Sequence, residues 1–191
     1  MARMSRHNSF RKSLVSNKID SKQKTEFPWK NLEWHCNQVK SKTAESIVEQ
    51  LFLFEEYKVH KYGMESVLPQ ILGSIRNDES ETARQIRSMP DFIIQTPELD
   101  NVYFVEVKFR ANGQYSFQEL EKEFEYPYKN TYFILVSRSA IKCLTYRQLK
   151  LGWNFNNGPN NHLCDRVEFR FSAENYNMMI SMLSTIYCDM D

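Results

Sequence analysis

Cysteine and histidine, the usual zinc ligands, are scarce in this 191-residue chain: four cysteines (Cys36, Cys143, Cys164, Cys188) and four histidines (His7, His35, His60, His162) are all it has. No C-x-x-C pair occurs, and the closest pairings, His35-Cys36 and His162-Leu163-Cys164, do not complete a tetrahedral zinc spacing. The cysteines therefore read as free thiols in a reducing compartment. No apolar run approaches the roughly 18 residues of a membrane span, so no membrane partner is expected. The basic start lacks the apolar stretch of a secretion signal, although its Arg/Ser-rich, acid-poor character overlaps with an organellar transit peptide. An intracellular location, cytoplasmic or nucleoid/nuclear, is the expectation, with an organelle as the other reading. Internal repeats are missing too. So is any strong overall charge, and a net +1 argues for no polyanionic partner by itself.

The charge that is present is unevenly placed. Residues 1–24 carry Arg3, Arg6, Arg11, Lys12, Lys18, Lys22 and Lys24 against Asp20 alone, so the arm is +6 and the rest of the chain −5. Polar and without periodicity, 1–24 is expected to be a disordered arm, either a nucleic-acid tether acting through phosphate neutralisation or a solvated tail. Residues 25–172 have the composition of one domain, and 173–191 read as a C-terminal helix packing on that core or on a partner.

From Thr25 the pattern is helical. Pro28 suits a first helical position, and Trp29, Leu32, Cys36 and Val39 recur at helical spacing, which predicts a short helix packed on the domain. A break is expected at Ser41–Thr43, with Thr43 as a cap. The next helix, 44–56, shows Ala44, Ile47, Val48, Leu51 and Phe52 on one face; Glu45 falls on the border of that stripe and Glu49 further round toward solvent. Ser46 to Glu49 would also suit a capping box, which would leave Glu45 outside the helix. A strand over 57–64 follows, then a polar connection with a helix over 78–87 that carries Arg84 and Arg87, either phosphate contacts or a solvated face.

The stretch from Met89 to Arg110 is the most constrained. Two β-branched and aromatic runs, 91–96 and 101–108, flank Pro97-Glu98-Leu99-Asp100, the pattern of an antiparallel hairpin. A turn on Glu98 and Leu99 puts Asp91 directly opposite Glu106, and the period of two brings Lys108 to the same face while Phe92, Ile94, Val105 and Val107 face the other way. Two carboxylates and an ammonium on one end of an apolar hairpin are costly to desolvate unless each finds a partner. A bound divalent cation would resolve the conflict.

Beyond the hairpin, Ser116 to Glu119 is a capping-box pattern opening a helix that Pro127 stops, with Gln118 on its first turn. Residues 131–137 form a continuous apolar run suited to a covered central strand. Residues 141–151 are ambiguous between strand and helix, 152–161 are a loop, 166–171 read as an edge strand, and 173–187 as a helix with Tyr176, Met179, Ile180 and Leu183 as its apolar stripe.

A helix with an acid, a strand, Pro90-Asp91, an apolar strand pair, Glu106-Val107-Lys108, a helix and another apolar strand: over about residues 43–137 this order resembles the PD-(D/E)XK nuclease superfamily. The resemblance implies an α/β fold with a restriction-endonuclease-like αβββαβ core, a mixed central sheet flanked by helices. It implies a Mg²⁺- or Mn²⁺-dependent endonuclease acting on DNA, RNA being the alternative to DNA. Asp91, Glu106 and the Val107 carbonyl would bind the ion, Glu45 would join them directly or through water, and Lys108 would serve the attacking water and the transition state. Gln118, Arg84, Arg87 and Arg110 are the candidate nucleic-acid contacts. A homodimer or larger assembly would suit two cuts on a duplex. Because a fold does not dictate activity, a catalytically inactive module that binds nucleic acid or assembles with protein is the alternative.

Overall fold

The computed structural model describes residues 31–122, 124–156 and 161–188; the basic arm, Pro28 and Trp29 lie outside the described residues. The first described element is one long helix, α1 (Leu32–Phe54), where the sequence predicts two. The expected break at Ser41–Thr43 does not form because the Thr43 hydroxyl donates to the Val39 carbonyl at 2.9 Å, satisfying itself one turn back instead of capping a new start. At 1.5 Å per residue α1 is about 35 Å long, and its buried residues, Ala44, Ile47, Val48, Leu51 and Phe52, all lie in the second half. The predicted stripe is therefore correct there. The first half is not packed as expected: Leu32 and Val39 are exposed, Cys36 is exposed, and Trp34 is 52 % exposed.

The strands are β1 (Lys58–Lys61), β2 (Phe92–Gln95), β3 (Val102–Phe109), β4 (Thr131–Val136) and β5 (Ile141–Thr145), side by side in that order. β1, β2 and β3 form an antiparallel meander, β3 and β4 are parallel, and β5 returns antiparallel to β4. The short helices α2 (Met64–Val67) and α3 (Leu72–Ile75) and a 3-10 turn occupy the β1–β2 connection with α4 (Glu81–Arg87), whose N-cap Ser80 accepts from the Ala83 amide. α5 (Phe117–Leu120) opens with the predicted Ser116/Glu119 capping box but lasts one turn. The ambiguous stretch after β4 is both things in succession: β5, then α6 (Tyr146–Lys150), started by a second capping box between Thr145 and Gln148.

One face of the sheet packs on α1 and on α7 (Ala173–Cys188), burying Ile94, Val105, Val107, Ile134, Val136 and Cys143 together with Met179, Leu183 and Tyr187. The Tyr187 hydroxyl donates to the Lys40 carbonyl at 2.8 Å, joining α7 to α1. The opposite face of β4 and β5 is covered by Tyr115, Tyr126, Leu149 and Phe155. β4 is buried on both sides, which is why its sequence is an unbroken apolar run. The result is an α/β fold, a five-stranded mixed sheet packed against α1 and α7. Among the described residues no helix is long and apolar enough to cross a membrane.

The edge strand expected at 166–171 does not form. The Arg170 amide donates to the Tyr57 hydroxyl and the Ser172 amide to Glu55 Oε1, both at 2.7 Å, so these backbone donors are taken by side chains and no ladder is built. The alternation that mimics a strand instead turns Phe169 inward, edge-on to Phe52, Tyr103 and Tyr132 at 5.2 Å, and leaves Val167 91 % exposed.

Burial pushes the Cys143 thiol up to about 12, whereas Cys36 and Cys164 are exposed. In the native protein iodoacetamide should modify Cys36 and Cys164 and spare Cys143 until unfolding, because only an accessible thiolate reacts; peptide mass mapping checks this.

Candidate active site

The hairpin register is the one the turn chemistry predicts. Phe92 pairs with Val105 and Gln95 with Val102, so one step further Asp91 stands opposite Glu106. Leu99 takes the left-handed conformation (φ 63°), its amide donates to the Thr96 carbonyl at 2.9 Å, and the Thr96 hydroxyl donates to Asp100 Oδ1 at 2.6 Å, which fixes the loop and hence the register. Asp91 is held from two sides. Its carbonyl accepts from the Tyr62 and Gly63 amides at 2.8 and 3.1 Å, and its Oδ2 accepts from the Val107 amide at 2.7 Å. The Lys108 ammonium donates to Glu106 Oε1.

These side chains open into a cleft of about 370 Å³ at the end of the sheet, with α1 on one side and the β1–α2 junction on the other. Asp91, Glu106, Lys108 and Glu45 all line it. The continuous α1 keeps Glu45 inside the helix, contrary to the capping-box alternative. Glu49, expected toward solvent, lines the cleft as well, with its side chain only 20 % exposed and 3.1 Å from Lys61 Nζ.

Burial and then the charge of Glu106 push the Asp91 carboxyl up to about 7, against the opposing pull of Lys108, the Val107 amide and Lys42. Glu45 is raised by its own burial and next by Asp91, so the two carboxylates share one field. Burial lowers the Lys108 ammonium, but Glu106, Asp91 and Tyr115 outweigh it and hold it above its ordinary value. Five carboxylates (Glu45, Glu49, Glu65, Asp91 and Glu106) and four cations (Lys42, Lys61, Arg87 and Lys108) line the cleft, and Lys108 is the cation held between Asp91 and Glu106. Burial and a neighbouring carboxylate thus hold both Asp91 and Glu45 toward their protonated forms.

The donor set fits a hard ion. Asp91, Glu106 and the Val107 carbonyl offer oxygen only, as Mg²⁺ and Mn²⁺ prefer. Among the described residues no group of three His, Cys, Asp or Glu side chains is arranged to hold an ion, so water would have to complete the coordination, as Mg²⁺ commonly allows.

The remaining candidates are dispersed. Arg87 lines the cleft but donates to the carbonyls of Ile75 and Asp78, bracing the loop before α4. Arg84, Gln118 and Arg110 are outside the cleft lining. Gln118 is exposed on α5, and Arg110 lies 5.4 Å over the Tyr115 ring and 3.8 Å from Glu119. The residue that sequence reasoning missed is Lys42. Its ammonium bridges Glu45 at 3.0 Å and Glu65 at 2.9 Å across the cleft mouth. The i,i+3 spacing to Glu45 was a visible signal; the partner on α2 was not.

Gly63 approaches Asp91 closely. A Cβ there would lie 3.6 Å from Asp91 Cα and 3.9 Å from its Oδ1, an ordinary contact, and the backbone (φ −51°, ψ 148°) suits any residue. Gly63→Ala should therefore be accommodated without displacing Asp91, while Gly63→Leu crowds the Asp91 carboxylate, and thermal unfolding of the two variants beside the unsubstituted chain should show a lower Tm for Gly63→Leu alone.

Comparison of the chain with protein-family models, curated proteins and solved structures finds no match.

Proposed function

We propose that the protein is a Mg²⁺- or Mn²⁺-dependent endonuclease that hydrolyses phosphodiester bonds in DNA, RNA being the alternative substrate, through a PD-(D/E)XK site on a restriction-endonuclease-like core. The observation that carries it is the convergence of Asp91, Glu106, Lys108 and Glu45 on one cleft. The order α1, β1–β2–β3, α5, β4 supports the core assignment. Asp91, Glu106 and the Val107 carbonyl would hold the ion, with Glu45 joining through water. When bound it would polarise the phosphate and acidify a water.

The chain's own residues have separable tasks. The Val107 amide orients Asp91 by its hydrogen bond to Oδ2. Glu106 fixes the Lys108 ammonium, which keeps its proton at neutral pH and presents positive charge where a phosphorane gathers negative charge. Glu45, held by Lys42, adds a carboxylate from the helix side.

A second reading, an inactive nucleic-acid-binding or assembly module, is favoured by one observation: Lys108 pairs with Glu106 and Lys42 with Glu45, so much of the acidic charge is balanced within the protein. The test is a panel of single-stranded, duplex, flapped and four-way DNA with Mg²⁺, Mn²⁺ or chelator. Metal-dependent cleavage absent in Asp91→Ala supports the nuclease; binding that survives chelator and the substitution, without any cutting, supports the module.

A further inference from the structure

The sheet face that carries the site continues into an aromatic surface that the hydrolytic chemistry does not use. His60 pairs with Ile93 and Ile93 with Phe104, forming one row across β1, β2 and β3. Asp91 and Glu106, two residues along, form the next row on the same face, and adjacent same-face positions on a strand are about 7 Å apart. The alternate residues Phe92, Ile94 and Val105 are buried in the core that includes α1, so this row is turned away from the helix. Tyr62 at the end of β1, Phe104 on β3 and Tyr128 before β4 cluster here, with ring centroids 5.5, 5.6 and 6.5 Å apart. Each is only partly buried, unlike Phe52 or Phe133, while His60 and Lys58 on the same face are exposed. The Tyr62 amide is bonded to the Asp91 carbonyl, which ties the aromatic surface to the site.

Part-exposed rings beside a phosphodiesterase site, with the Lys58 ammonium on the flanking strand, have the chemistry that captures unpaired bases. Bases in a continuous duplex are already stacked on each other and offer no free face. We infer that Tyr62, Phe104 and Tyr128 form a stacking platform for an unpaired base next to the phosphate that is cut, which makes single-stranded or splayed DNA the preferred substrate over continuous duplex. The inference rests on the nuclease reading of the site.

The test uses the full chain carrying Lys108→Met, with Mn²⁺, and a single-stranded oligonucleotide containing 2-aminopurine, whose fluorescence falls on stacking. Tyr62→Leu, Phe104→Leu and Tyr128→Leu should each weaken single-strand binding about 5- to 100-fold and remove the quenching. Duplex binding should stay within about twofold, and Tyr62→Phe should bind as its parent does; thermal unfolding identifies any variant that has lost its fold. Unchanged single-strand binding in the folded leucine variants would overturn the platform, as would equal losses for single strand and duplex. A dimer that dissociates in the leucine variants with oligonucleotide binding intact would assign the face to a second copy of the chain and overturn it too. If the unsubstituted chain cuts nothing yet quenching responds to the rings as described, the platform stands and the nuclease reading falls.

Discussion

Glu106→Gln and Lys108→Met are each expected to lower metal-dependent cleavage by about a thousandfold or more, the scale associated with losing preorganised electrostatic stabilisation at a reacting phosphate. The two losses should differ in kind. Glu106 is a proposed ion ligand and the acceptor for Lys108, so Glu106→Gln should weaken both the divalent-ion affinity and the placement of the ammonium. Lys108→Met leaves the carboxylates in place and removes positive charge, so it should depress kcat with metal affinity kept or raised. Because Lys108 sits among Glu106 and Asp91, removing one partner also strands charge, and unfolding curves must accompany the kinetics. Steady-state cleavage across a Mn²⁺ titration separates the cases, and near-normal rates in both variants would rule out the assigned roles.

Asp91→Asn should abolish cleavage and yet stabilise the metal-free protein in mildly alkaline solution. The Asp91 carboxyl is pushed up to about 7 in the fold, by burial first and Glu106 second, against about 3.9 in an unfolded chain. The folded state thus holds this proton more tightly than the unfolded one. The contribution of Asp91 to stability is fully present below about pH 4 and is lost as pH rises through about 7, where the buried carboxylate must ionise beside Glu106. Asparagine has the same shape and an acceptor for the Val107 amide but cannot ionise. In chelator Asp91→Asn should exceed the unsubstituted protein by roughly 2–4 kcal/mol near pH 8 and lose that advantage near pH 4. Added Mn²⁺ should narrow the gap and then reverse the order, because an ion bound only by the folded state stabilises it by about 2.7 kcal/mol at a hundred times its Kd and about 4.1 kcal/mol at a thousand times. Urea unfolding at the two pH values, with and without metal, tests each part.

Much of this site was legible because it lies on a hairpin. A period of two and a turn of fixed length leave little freedom, so Asp91 opposite Glu106 followed once the turn was placed on Glu98 and Leu99. The burial of β4 on both faces was legible for the same reason, as an apolar run without alternation. Failures came where a local pattern had two physical outlets. Thr43 has the chemistry of a cap and spent its hydroxyl on Val39 within a continuous helix. Phe169 and Phe171 alternate as in a strand, yet the amides around them bond to Tyr57 and Glu55 side chains. Thr145 and Gln148 carried a capping-box spacing that would have divided β5 from α6. Lys42 and Glu49 became part of the cleft through Glu65 and Lys61, partners set by tertiary packing and invisible to a helical wheel.

The proposed binding of a divalent cation by Asp91 and Glu106 is tested most directly by an anomalous difference map from crystals soaked in Mn²⁺. The expected result is a peak between the two carboxylates, within reach of the Val107 carbonyl, that disappears in Asp91→Ala. A cleft with no such peak, its acids neutralised instead by Lys108 and Lys42, would contradict it.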